Sequence, residues 1–136
     1  MFVSRNIVRM HDTDMAGIIF FAKQFRWAHD ALEDWMYQED LGFHSLFTGE
    51  EFAFVIVHCE ADYLAPVQVG DPLEVRLHIA KVGKHSFTVQ YDILRAGKEL
   101  IGRCKTVHCT INPRTRAKLP LPDAFREKLL RYLRED

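Results

Sequence analysis

The chain has 136 residues, 18 Lys+Arg against 19 Asp+Glu for a net charge of −1, and is 48% hydrophobic and 27% charged. That length suits one compact domain better than two, and the composition excludes a disordered, collagenous or low-complexity chain. With balanced charge and a pI near 6.6, no global field draws nucleic acid or an anionic membrane, so an anionic ligand must find a local basic patch.

The start carries arginines at positions 5 and 9 with no apolar run behind them, which does not make a signal-peptide core. The longest purely apolar stretches, such as 53–57, fall far short of the roughly 20 residues of a membrane span. Three cysteines, Cys59, Cys104 and Cys109, suit reduced thiols in a reducing compartment, so a cytoplasmic location is expected. No repeat or linker breaks the chain, and one domain over 1–136 is expected.

Residues 2–10 form a weak strand candidate. Apolar positions at Phe21, Phe25, Ala28, Leu32, Trp35 and Met36 step by four and three, predicting a helix over 22–39 with Lys23, Gln24, Arg26, Asp30, Glu33, Asp34 and Gln38 on its polar face and Gly42 near its stop. Four strands follow, over 51–63, 72–82, 86–94 and 100–112, rich in Val, Ile, Phe, Tyr and Thr. Leu73, Val75, Leu77 and Ile79 alternate with polar residues, as do Phe87, Val89, Tyr91 and Ile93, so each strand has one core face. Turn signals at Gly83-Lys84 and Ala96-Gly97-Lys98 predict an antiparallel meander of the last three strands. Residues 122–134, with Phe125, Leu129, Leu130 and Leu133, predict a short C-terminal helix with proline in its first turn. The order implies an α+β domain, a sheet wrapped around one long helix, with one sheet face and its edges in need of partners.

Several chemistries are poorly supported. His58-Cys59 and His108-Cys109 resemble metal ligands, but adjacent strand residues point to opposite faces; Cys104 and His108 share a face yet lie about 13 Å apart along a strand. The only serines are Ser4, Ser45 and Ser86, none in a nucleophile elbow. Neither a dinucleotide fingerprint nor a phosphate loop is present. The stretch from Arg9 to Phe21 concentrates polarity just before the long helix. Asp12 and Asp14 flank Thr13 there, beside backbone amides without intrahelical partners, an arrangement that serves either as a turn or cap or as a carboxylate next to an oxyanion site.

His11-Asp12-Thr13-Asp14-Met15-Ala16-Gly17-Ile18-Ile19-Phe20-Phe21-Ala22 resembles the signature of hotdog-fold acyl-CoA thioesterases of the 4-hydroxybenzoyl-CoA thioesterase-like family. Asp62-Tyr63-Leu64-Ala65-Pro66-Val67-Gln68-Val69-Gly70-Asp71 is similar to that family's Tyr-x-x-Pro-x-x-x-Gly-Asp turn, and the element order agrees over nearly the whole chain. The resemblance implies a hotdog fold and thioester hydrolysis, with Asp14 as nucleophile or general base and the Phe21 backbone N–H as oxyanion donor. Asp12 is then structural or orienting. Gly17, Phe20 and Phe25 are implied as substrate-binding residues, the aromatic rings offering flat walls to an acyl group. Where some short-chain members have Val-Val-Tyr-His, this sequence has Ile18-Ile19-Phe20-Phe21, similar to members acting on 4-hydroxybenzoyl or 1,4-dihydroxy-2-naphthoyl thioesters. Coenzyme A enters as part of the substrate, with no separate cofactor or metal, and a homo-oligomer, a dimer or a dimer of dimers, is implied because the family builds its sites between subunits. Arg103, Lys105, Arg114, Arg116 and Lys118 form the densest basic stretch and are candidates for the coenzyme A phosphates. A short-chain aliphatic thioesterase, a non-catalytic acyl-CoA or acyl-carrier binding domain and a hotdog dehydratase are the alternatives.

Overall fold

The structure is a computed structural model and describes residues 1–14, 19, 21–41 and 52–134. Strand β1 (Phe2–Ile7) leads through a 3-10 turn at Met10–Asp12 to helix α1 (Lys23–Gln38). Strands β2 (Ala53–Tyr63), β3 (Pro72–Val82), β4 (Ser86–Arg95) and β5 (Glu99–Ile111) follow, then helix α2 (Asp123–Leu130). The five strands form one sheet in the order β1-β3-β4-β5-β2, antiparallel throughout. The β3-β4-β5 meander is the one expected from the turn signals, with Ala96 and Gly97 both at positive φ (51° and 69°) in the second hairpin. α1 lies across one face of the sheet, against β1, β3 and β5, which is the hotdog arrangement implied by the resemblance.

The strand alternation holds. Leu73, Val75, Leu77 and Ile79 of β3 and Phe87, Val89, Tyr91 and Ile93 of β4 are all buried and meet Trp27, Ala28, Ala31, Leu32 and Trp35 of α1 in one core. The helix is rotated from the simple apolar stripe. Phe21 lies before α1 and is 66% exposed, Phe25 is half-buried, and Gln24, expected on the polar face, is buried. The reason is a hydrogen-bonding site in the sheet: Gln24 Nε2 donates to the carbonyl oxygens of Asp62 (2.9 Å) and Arg103 (3.2 Å).

Two boundaries also differ. The first strand stops at Ile7, because the chain turns into the 3-10 segment. The C-terminal helix starts after Pro122, which caps it from outside, and ends at Leu130, short of 134. Residues 132–134 leave the helix to bond the edge of β3: Ile79 N–H donates to the Tyr132 carbonyl and Arg134 N–H to the Ile79 carbonyl, both at 2.8 Å. That segment continues the cover of β3 beyond the residues paired with β1. Gly42 and the first residue of the expected 51–63 strand lie outside the described residues, and among the described residues no helix is long and apolar enough to cross a membrane.

Candidate active site

Asp12 and Asp14, two residues apart, sit in opposite environments. Asp12 is completely buried and accepts four hydrogen-bond contacts from three donors: the Arg9 backbone N–H at 2.8 Å, Arg26 Nη1 at 2.9 and 3.1 Å, and Trp27 Nε1 at 3.3 Å. Three of those contacts come from the first turn of α1, so Asp12 ties the 3-10 turn to the helix start. Asp14 is exposed at the end of that turn. Thr13, just before Asp14, pairs with Ile19 in an antiparallel bridge, which holds those two residues within about 5 Å of each other.

Among the described residues no side chain caps α1 and its first turn holds no acidic residue, so the positive end of its dipole is not answered from within the helix. Phe21 is anchored from the sheet, its carbonyl accepting a hydrogen bond from the Tyr63 hydroxyl at the end of β2. The Gly70-Asp71 turn closes the other side: Gly70 N–H donates to the Val8 carbonyl (2.8 Å) and Val8 N–H to the Asp71 carbonyl (3.0 Å), while Asp71 also takes Arg95 at 2.9 Å. The two sequence motifs, some fifty residues apart, thus form one structural unit. Gly17 and Phe20 lie outside the described residues.

Phe25, one turn into α1, opens onto an apolar cavity of about 100 Å³ between the helix and the sheet. Its lining is Phe25, His29 and Leu32 from α1, Ile56 and Cys59 from β2, and Tyr91, Thr106 and His108 from β4 and β5. A buried polar chain runs along one wall, Tyr91 Oη to Thr106 Oγ1 at 2.9 Å and Thr106 Oγ1 to His108 Nε2 at 2.8 Å. Burial, and secondarily the neighbouring His29, pushes the His108 imidazole down to about 4, so it is neutral near pH 7. Burial pushes the Cys104 thiol up to about 11, which leaves it protonated and unreactive. Of the wall residues beyond Phe25, sequence reasoning considers Cys59 and His108 only as metal ligands and places none in an acyl site. The available signal was the run of polar residues at inward positions of β5, where Thr106, His108 and Thr110 stand in place of apolar ones.

The basic candidates separate. Arg103 and Lys105 lie on the outer face of β5, opposite α1, along a polar cleft of about 560 Å³ that also holds Glu60, Asp62, Asp92 and Arg134; Arg103 pairs with Asp92 at 3.2 Å. Arg114 and Arg116 are exposed in the loop after β5. Eight strand steps, about 26 Å, separate Arg103 from Ile111 at the end of β5, and Arg114 lies beyond that end, so on one chain they do not form a single patch. Among the described residues no three His, Cys, Asp or Glu side chains gather as a metal site.

A family model described as "Thioesterase-like superfamily" matches residues 8–129. A 1,4-dihydroxy-2-naphthoyl-CoA hydrolase from Synechocystis is 34% identical over 119 residues, covering 87% of this chain and 86% of that one. A hydrolase of the same name from Nostoc punctiforme is 34% identical over 122 residues, covering 90% and 82%. The crystal structure of a 1,4-dihydroxy-2-naphthoyl-CoA thioesterase from Synechocystis superposes with a TM-score of 0.88 at 32% identity, covering 95% of each chain.

Proposed function

The chain belongs to the thioesterase-like superfamily, and we propose that it hydrolyses the thioester bond of an acyl-CoA carrying an aromatic acyl group. The observation that carries this reading is the placement of an apolar cavity along α1, starting at Phe25, four residues or about 6 Å of helical rise beyond Phe21. A planar acyl ring entering it leaves its carbonyl at the helix start. The relatives named for 1,4-dihydroxy-2-naphthoyl-CoA support the same substrate class.

At that position the Phe21 N–H polarises the carbonyl and takes up the developing oxyanion charge. Asp14 either attacks the carbonyl carbon, forming an anhydride that water then opens, or takes a proton from the water that attacks it. Either route expels the coenzyme A thiolate, a good leaving group, and yields the free acid, so no cofactor is needed. Arg103, Lys105, Arg114 and Arg116 are candidates for the phosphates of coenzyme A, shared between subunits if one ligand is to use both ends of β5. The active form is a homo-oligomer, a dimer or a dimer of dimers, each copy one domain acting in the cytoplasm.

The test is thiol release from benzoyl-, hydroxynaphthoyl-, butyryl- and hexanoyl-CoA, with the protein's own three cysteines blanked. A higher kcat/KM for the aromatic thioesters is expected. Equal or reversed values point to an aliphatic substrate, and no release at all points to a binding domain. Asp14→Asn is expected to lower kcat roughly 100-fold, while Asp12→Asn costs less turnover; near wild-type rates in Asp14→Asn overturn its catalytic role.

A further inference from the structure

We propose that Tyr63 is a positioning residue for the hydrolysis: its hydroxyl, by bonding the Phe21 carbonyl, aims the Phe21 N–H at the developing oxyanion. This rests on the thioesterase reading above and adds to it the side chain that aligns the oxyanion donor.

The helix by itself does not orient Phe21. The residue precedes Ala22, the N-cap of α1, and the Phe25 N–H, four residues on, bonds the Ala22 carbonyl at 3.2 Å. The ladder of helix hydrogen bonds therefore starts one residue too late. Packing covers little of Phe21, which lies at the surface. The sheet supplies a fastening, since the Tyr63 hydroxyl donates to the Phe21 carbonyl. Two residues earlier in the chain, Ile19 is held to Thr13 by the antiparallel bridge. The Phe21 N–H thus lies between two fastenings, one to the strand side beside Asp14 and one to the end of β2.

Tyr63 is a firm post for this purpose because its own backbone is held on every side. It pairs with Gly102 of β5, the Asp62 carbonyl before it accepts Gln24 Nε2 at 2.9 Å, and the Leu64 N–H after it donates to the Ile101 carbonyl at 2.9 Å. With the backbone fixed, only two side-chain torsions separate the sheet from the hydroxyl. Gln24 and Tyr63 both join the end of β2 to the helix start, and they fix different things. The Gln24 bonds locate α1 against the sheet, whereas the Tyr63 bond acts on the residue that carries the N–H. An oxyanion donor is effective only when aimed at the place where the charge forms, and a misplacement of about 1 Å costs up to about 100-fold in rate. Tyr63 is not part of the acyl cavity wall, so losing its hydroxyl should slow the chemical step and leave substrate binding in place.

The experiment measures kcat, KM and the urea midpoint, on the fastest thioester of the thiol-release panel, for the wild type, Tyr63→Phe and Tyr63→p-aminophenylalanine, the last of which puts an N–H donor where the hydroxyl was. In Tyr63→Phe kcat is expected to fall roughly 10-fold with KM and midpoint close to the wild type, and the amine should restore most of the loss. A kcat unchanged in Tyr63→Phe, a loss that the amine does not restore, or a loss matched by a lower midpoint overturns the proposal, while wild-type turnover keeps the thioesterase reading. No thiol release in the wild type overturns both. Infrared spectra read the alignment directly: in Asp14→Asn the carbonyl stretch of the ¹³C-labelled thioester should move to lower frequency on binding, and in Asp14→Asn with Tyr63→Phe it should move less. Equal shifts, or none in either protein, overturn the proposal. Should Tyr63→Phe fail to fold, Tyr63→3,5-difluorotyrosine decides: its phenol stops donating as it ionises near neutral pH, so kcat should fall there where that of the wild type does not, and matching profiles overturn the assignment.

Discussion

Two carboxylates in the pattern Asp12-Thr13-Asp14 share a chain segment and differ in everything around them. Asp12, with the Arg26 guanidinium, the Trp27 indole and the Arg9 amide all aimed at it, holds the 3-10 turn on α1. Removing one partner of such a buried set strands the others, so Asp12→Ala is expected to cost about 3 kcal/mol, read as a lower urea midpoint at unchanged m-value. His108 supplies a second prediction at this scale. Its imidazole resists protonation down to about 4 in the fold, whereas the unfolded chain takes up that proton near 6.5. Between those values the unfolded state binds more protons, so stability is full above pH 6.5 and falls as the pH is lowered toward 4, by on the order of 3 kcal/mol. Urea titrations at pH 7, 5.5 and 4.5 should show this fall in the wild type and a shallower one in His108→Phe.

Pairing between elements follows from matched periods. Ser4 and Asn6, two strand residues apart, meet Asp34 and Asp30, four helix residues apart; the steps are about 6.6 Å and about 6 Å, so the two rows stay in register. At the other side of α1 the contact is closer. Gly102 lacks the Cβ that would stand 2.7 Å from Gln24 Nε2, the atom that bonds the Asp62 and Arg103 carbonyls. In Gly102→Ala the amide must move and surrender those bonds, a loss expected at about 1–3 kcal/mol. Because Gln24 lies one turn from Phe21, turnover should fall with stability, and thermal melts beside kcat measurements check both. The β2 to β5 pairing carries its own irregularity, a bulge between Ile56 and His58 beside the cavity.

At the scale of the whole molecule, β2 is conspicuous. It bonds β5 along one edge, is the last strand in the sheet order, and exposes Val55, Ile56, Val57 and Tyr63, with Val57 60% accessible. A long apolar edge strand of this kind is a template for another strand. A second copy laid along it would extend the sheet and bring the partner close to the Phe21 and Tyr63 contact, consistent with a site shared between subunits. Light scattering is expected to give a multiple of 15.9 kDa, and Val57→Lys should shift the mass toward the monomer and lower turnover together. A wild-type monomer with full activity would refute the oligomer.

Local pattern was enough for the strands, the long helix and the meander, because side-chain alternation, helical steps and turn residues are properties of neighbours along the chain. The motif around Asp14 was legible for the same reason, being contiguous. The burial of Gln24, the polar inward face of β1, the early end of α2 and the Tyr91–Thr106–His108 wall were not legible, since each depends on a partner dozens of residues away. The basic residues make the point most plainly: Arg103 and Arg114 are near in sequence, yet an extended strand carries them to opposite ends of the sheet. Composition and periodicity decide which elements form; only their packing decides which polar atoms are buried together, because that depends on distances the linear order does not contain.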